Sequence, residues 1–254
     1  MSGSTSRTMS AAAVTAAIDR NIAHTVWRAS QMGSYQATVT PTGHQALDRE
    51  LPNGGWPAST LIELLLQQAG IGEMRLLQPA LCAIGQKRRI VMVQPPHLPH
   101  AAAWAGWGLP ADRFLWIKTA RTADALWSAE QILRNCSCGA LLFWQPQVRN
   151  EALRRLHLAA QGSTTVFWML RPLSAAEQSS PAPLRLALRP APAGVSVDIV
   201  KRRGPMAERP LYLALAQDAA LSLTDNRSYH ASMDKHAPPA AAARSVPAAV
   251  VRAV

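Results

Sequence analysis

The chain has 254 residues, 48% of them apolar and only 16% charged, which is enough apolar material for a sizeable core and excludes a charge-rich disordered protein. Lys and Arg number 26 against 15 Asp and Glu, giving +11 and a pI near 10.7; that balance favours a polyanionic partner, nucleic acid or an acidic protein surface. Three cysteines, two of them one residue apart (Cys136, Cys138), exclude a disulfide scaffold, and no apolar run reaches membrane-spanning length.

In chain order, residues 1–10 are Ser/Thr-rich and lack a secretory signal, so the expected location is the cytoplasm. Val14, Ile18, Ile22 and Val26 recur every four residues and predict an amphipathic helix ending at Trp27-Arg28. Residues 40–57 hold turn chemistry, from Thr42-Gly43 to Leu51-Pro52-Asn53-Gly54-Gly55-Trp56-Pro57. A strand over Leu61–Leu65, a glycine turn at Gly70-Ile71-Gly72 and a helix over about 73–84 follow, which is the layout of a phosphate-binding unit.

Further apolar strands are predicted at 90–93, 114–117, 140–144 and 165–170. Helices are predicted between them at about 101–108, from Thr122 or Asp124 as the cap to Arg134, and over 151–161. Continuous apolar strands alternating with helices imply a parallel sheet covered on both faces. Leu184, Leu186 and Leu188, then Val195, Val197 and Ile199, alternate with polar residues and predict half-exposed antiparallel strands at the sheet edge. From Asn226 the chain is Ala/Pro/Ser-rich without periodicity, the composition of a disordered tail. The expected organisation is thus a leading helix and linker (1–40), an α/β core (41–225) and a flexible tail (226–254).

Thr42-Gly43 through Leu47-Asp48, Gly54-Gly55-Trp56-Pro57 and Leu61-Ile62-Glu63-Leu64 resemble the start of the RecA recombinase core. The stretches Leu51–Pro57, Gly70–Glu73 with Leu76-Leu77 and Pro79-Ala80-Leu81, Pro95–Pro99, and Asp124–Trp127 leading to Cys138-Gly139-Ala140 resemble more closely the ImuA family. These are RecA-related accessory proteins of bacterial mutagenic repair, and the resemblance covers roughly residues 22–204. A weaker resemblance links such chains to SulA-like cell-division inhibitors. The ImuA resemblance implies a RecA-like, mostly parallel sheet flanked by helices. It also implies a role in SOS-induced translesion synthesis, with ImuB and an error-prone C-family DNA polymerase as partners and RecA as a further contact.

Against the RecA pattern the phosphate-binding loop is degenerate. Such a loop needs backbone amides around a phosphate, a Lys on the terminal phosphates and a Ser/Thr on Mg²⁺. With its last glycine at Gly72, Glu73 stands at the Lys position, Met74 at the Ser/Thr position and Gln67 at the first glycine. The strand that should end in a metal-binding acid ends in Phe143-Trp144-Gln145, and the water-activating Glu corresponds to Pro96. A carboxylate facing a triphosphate repels it, and a thioether is a poor magnesium ligand. Gly70, Gly72, Glu73 and Met74 are therefore expected to form a tight turn closed by its own acid. No cofactor, metal or catalytic residue is expected, and His97, His100, Asp112 and Asp124 read as structural or solvated groups.

Two basic runs remain, Lys87-Arg88-Arg89 and Lys201-Arg202-Arg203. Lys201, Arg202 and Arg203 are the candidate phosphate contacts, sufficient for weak DNA binding at most. Ile18, Ile22, Val26, Trp27 and Arg28 are the candidate partner or self-association surface. Trp116, Trp127, Trp144 and Trp168 are expected in the core. The function so implied is a non-catalytic adaptor of a mutagenic translesion complex; the alternatives are a SulA-like division inhibitor and a DNA-dependent ATPase.

Overall fold

The computed structural model describes residues 38–97, 100–205 and 209–215. The Val14, Ile18, Ile22 and Val26 stripe with Trp27-Arg28, and the segment from Asn226, lie outside the described residues. A short strand β1 (Val39–Thr40) pairs antiparallel with β2 (Trp56–Pro57), enclosing helix α1 (Gln45–Glu50). The Thr42–Asp48 motif makes this corner: the Asp48 carboxylate accepts the Thr42 N–H at 2.9 Å, and the Thr42 hydroxyl accepts the His44 N–H at 3.0 Å. Gly43 has φ 81°, and a side chain there would strike Pro79.

The main sheet is built from β3 (Thr60–Leu66), β4 (Ile90–Val93), β5 (Phe114–Ile117), β6 (Ala140–Trp144), β7 (Val166–Pro172), β8 (Leu184–Ala191), β9 (Gly194–Lys201) and β10 (Leu211–Ala214). Their order is β10-β9-β8-β3-β7-β6-β4-β5. Every pairing from β8 to β5 is parallel, while β9 and β10 add on in antiparallel fashion. The chain is thus an α/β protein with a large, mostly parallel sheet flanked by helices, as the alternation of apolar runs and helical periods requires.

Strand residues alternate between two buried layers. Ile62, Leu64, Met92, Leu142 and Trp168 face helix α2 (Glu73–Gly85), through Leu76, Leu77, Ala80 and Leu81. Short helix α3 (Ala101–Gly106) adds Trp104 to this layer. Leu61, Val91, Leu141 and Phe167 face α4 (Thr122–Arg134), through Ala125, Ala129 and Leu133, and α5 (Asn150–Gln161), through Leu153 and Leu156. Trp56 and Trp168, both fully buried, meet edge to face at 5.7 Å.

The structure corrects several expectations. β8 is neither at the edge nor half-exposed: it pairs parallel with β3 and its Arg185 is buried. β10, which carries only four residues between Pro210 and Leu215, was not foreseen and takes the edge position. Trp127 is not core but 57% exposed on α4. Neither Thr122 nor Asp124 caps α4; Arg121 is the N-cap, and its guanidinium pairs with Asp124 at 2.9 Å.

Glu63 sits in the middle of β3 with no exposure, gripped from both sides. Arg171 of β7 donates to Oε1 at 2.9 Å and Arg185 of β8 donates to Oε2 at 2.5 Å. Arg185 also donates to the carbonyls of Ala175, Ala176 and Gln178, and Arg171 to the Gln178 side chain. Removing the acid alone would strand two buried guanidinium groups. Glu63→Gln is therefore expected to lower the unfolding free energy by about 3–5 kcal/mol, read as a shift in urea midpoint at unchanged slope; a loss below 1 kcal/mol would show that the cluster is solvated.

Candidate functional site

The turn between β3 and α2 is where a phosphate-binding loop would lie. Gly70 and Gly72 both adopt positive φ, 84° and 116°, which turns backbone N–H groups toward one point at the helix start. That point is filled by the protein itself. The Glu73 carboxylate accepts the Gly70 N–H at 2.9 Å through Oε1 and the Gly72 N–H at 3.2 Å through Oε2. Glu73 is 3% exposed although Gly70 itself is exposed, and a carboxylate at a helix N-terminus is favoured by the helix dipole. Met74 packs against the apolar core. A side chain at Gly72 would come within 2.8 Å of Leu215, so the turn is also closed from the sheet side.

Beside this turn a cavity of about 480 Å³ opens at the C-terminal ends of β3, β4, β6 and β7. Its floor is buried Leu66, Leu170, Arg171 and Gln145, with half-buried Trp144; its exposed rim includes Gln67, Gln68 and three prolines. Ligand crevices of α/β sheets form at this edge. Gln94, with φ 55°, clamps the next loop by donating to the Thr119 carbonyl at 2.8 Å and accepting its N–H at 3.2 Å. Gln145, buried just after β6, donates to the Gln147 carbonyl at 3.3 Å. Neither the sealed turn nor this cavity floor presents a free acid, and among the described residues no three His, Cys, Asp or Glu side chains converge as a metal site.

The basic runs are partly absorbed by the fold. Arg88 donates to the Thr164 hydroxyl at 2.9 Å and the Cys136 carbonyl at 2.8 Å, tying two loops together. Arg202 donates to the Glu50 carboxylate at 2.8 Å and to the Glu50 carbonyl, fastening the end of β9 to α1. Lys201 donates to the Ser180 carbonyl at 2.9 Å but remains exposed, as does Arg203. His157 on α5 lies within reach of these charges: burial, then Arg203 and Lys201, depress its pKa below the ordinary 6.5. Cys138 is fully buried, and that burial pushes its thiol up to about 11, so it is an inert core group. The candidate partner residues Ile18, Ile22, Val26, Trp27 and Arg28 lie outside the described residues. No described helix is long and apolar enough to cross a membrane.

No family model matches the chain. The chain is similar to the cell division inhibitor SulA of Edwardsiella piscicida, 26% identical over 98 residues. The match covers 38% of this chain and 58% of that protein, so the chain spans little more than half the length of the relative it resembles.

Two outcomes follow from this geometry. Glu73→Ala frees the Gly70 and Gly72 amides and is expected to cost about 1–3 kcal/mol, with part of the loss recovered by added sulfate or phosphate because the emptied amides then have an external anion; an unchanged melting temperature would show that the carboxylate does not hold the turn. With Arg202 committed to Glu50, the 201–203 run offers two phosphate contacts, so single-stranded DNA binding should show a log–log salt slope of about −1.4. A steep slope or a nanomolar affinity, measured by fluorescence anisotropy, would reveal a second cationic surface.

Proposed function

We propose that this chain is a non-catalytic, RecA-like adaptor in an SOS-induced mutagenic translesion complex. The observation that carries the non-catalytic part is the Glu73 carboxylate lodged on the Gly70 and Gly72 amides. A triphosphate would have to displace a buried acid already seated at the helix start and would meet its charge. No lysine stands in the turn, and the strand that would end in a metal-binding acid ends in Phe143-Trp144-Gln145. The ImuA resemblance supplies the setting and the partners: ImuB, the polymerase-like protein of that system, an error-prone C-family polymerase, and RecA as a further contact. In this reading the sheet is a scaffold on which surfaces, not a reaction centre, do the recognition.

A second reading is favoured by one observation, the 98-residue similarity to a cell division inhibitor. Under it the partner is the tubulin-like protein of the division septum, and the SOS setting is retained. Both readings need no nucleotide.

Affinity capture of the full chain from DNA-damaged cells, followed by identification of the bound proteins, separates them. Recovery of ImuB with the polymerase supports the adaptor, and recovery of the septum protein in their place supports the inhibitor. Calorimetric titration with Mg-ATP is expected to give no heat beyond dilution. Saturable binding, or turnover abolished by changing Gly72, would overturn the non-catalytic reading.

A further inference from the structure

Three large apolar side chains are exposed among the described residues. Two of them, Trp127 at 57% and Leu158 at 65%, stand on α4 and α5, which pack side by side over the same face of the sheet. A lone exposed leucine carries no information. What sets this pair apart is the ion cluster between the two helices. Glu130 of α4 is buried, and its carboxylate takes the Arg134 guanidinium through Oε1 at 2.7 Å and the Arg155 guanidinium of α5 through Oε2. Trp127 is three residues before Glu130, and Leu158 three residues after Arg155. Side chains at that spacing are neighbours on a helix surface, so each apolar side chain stands one turn from the cluster on its own helix.

The cluster holds more cation than anion. One carboxylate serves two arginines whose side chains remain 62% and 63% exposed, so charge and N–H donors are left over toward solvent. The buried acid also fixes the two guanidinium groups, which lowers the ordering cost of binding through them. The surroundings have the same sign. The two helices with their N-caps Arg121 and Arg149 carry five arginines against three acids, and one of those acids, Asp124, is spent on Arg121. Arg154, four residues before Leu158, is exposed. At His157, the neighbouring position on α5, the charges of exposed Lys201 and Arg203 are felt as well.

Two apolar anchors set among arginines call for a partner of opposite sign that brings apolar side chains of its own, and Trp and Arg are the residue types that most often dominate protein interfaces. Nucleic acid fits less well. It uses flat rings for successive bases along a line of cations, and this face has one ring, with an aliphatic side chain as its second anchor. The ends of the chain itself do not complement the face either: residues 1–37 carry three arginines and one acid, and residues 216–254 four basic residues and three acids. We propose that the outer face of α4 and α5 docks an acidic segment of another protein, with large apolar side chains against Trp127 and Leu158 and carboxylates on Arg134, Arg154 and Arg155. This holds whether the chain acts as adaptor or as division inhibitor.

The probe is the fluorescein-labelled peptide Asp-Glu-Leu-Glu-Glu-Leu-Leu-Glu-Asp-Phe-Glu-Glu-Leu-Leu-Asp, titrated with the full chain and followed by anisotropy. Saturable binding with a Kd of about 10 μM is expected. Trp127→Ser and Leu158→Ser should each weaken it at least about fivefold, the loss of one anchor, and Arg154→Glu about tenfold. The altered side chains are all exposed, so the fold is expected to survive; should one variant unfold, the other two decide. A peptide with Gln and Asn in place of its acids, or with Ser in place of Leu and Phe, should bind about tenfold more weakly. Oligothymidylate of matching length should displace the peptide less effectively than unlabelled peptide does. More effective displacement assigns the face to nucleic acid and overturns the proposal. So does the absence of saturable binding up to about 1 mM, equal binding of the neutral peptide, or binding indifferent to all three substitutions.

Discussion

The sheet depends on Glu63. A lone carboxylate in the central strand would be intolerable without compensation, and the compensation comes from the strands on either side. The consequence is geometric as much as energetic. Because strand side chains alternate between faces, a one-residue slip of β3 against β7 or β8 would send Glu63 into the layer containing Leu64 and Trp168, away from both arginines. An apolar strand register can slide at modest cost, but this one cannot. The cluster also reaches out of the sheet: the carbonyls of Ala175, Ala176 and Gln178, which Arg185 binds, belong to the connection from β7 to β8. That connection places β8 parallel to β3, and β8 in turn positions the β9 hairpin arm.

This dependence explains what was legible in the sequence. Continuous apolar runs at 90–93, 140–144 and 165–170 can only be strands buried on both faces, so the parallel core could be read directly. The helix at Glu73–Gly85 followed from its apolar period and its glycine start. The role of Glu63 left no local signature, because its partners lie 108 and 122 residues away. Arg185 misled for the same reason. Its alternation with leucines has the period of a half-exposed strand, and the fold buries the polar side by supplying an acid for it.

The candidate sites divide along the same line. The sealed turn was legible, because Glu73 violates a loop chemistry whose requirements are local and strict. The Arg202 contact with Glu50 was not: a basic triplet reads as one patch, yet its middle member is spent on α1 across 152 residues of sequence. The cavity left no sequence signature either. Its walls come from the ends of four strands that are distant in the chain, and only the sheet order makes them neighbours.

Taken together, the turn and the cavity show how an α/β edge can change the kind of ligand it faces without changing its fold. In a phosphate-binding arrangement, loop amides and a helix start supply the charge complement, and strand ends supply little. Here the amides are consumed by an acid one residue into the helix, which removes the loop from recognition and neutralises the local dipole. What remains at the edge is the cavity at the strand ends, floored by Leu66, Leu170 and half-buried Trp144. Those groups are held by the sheet and not by a loop, so they are as rigid as the strands themselves and cannot close around a large polyanion.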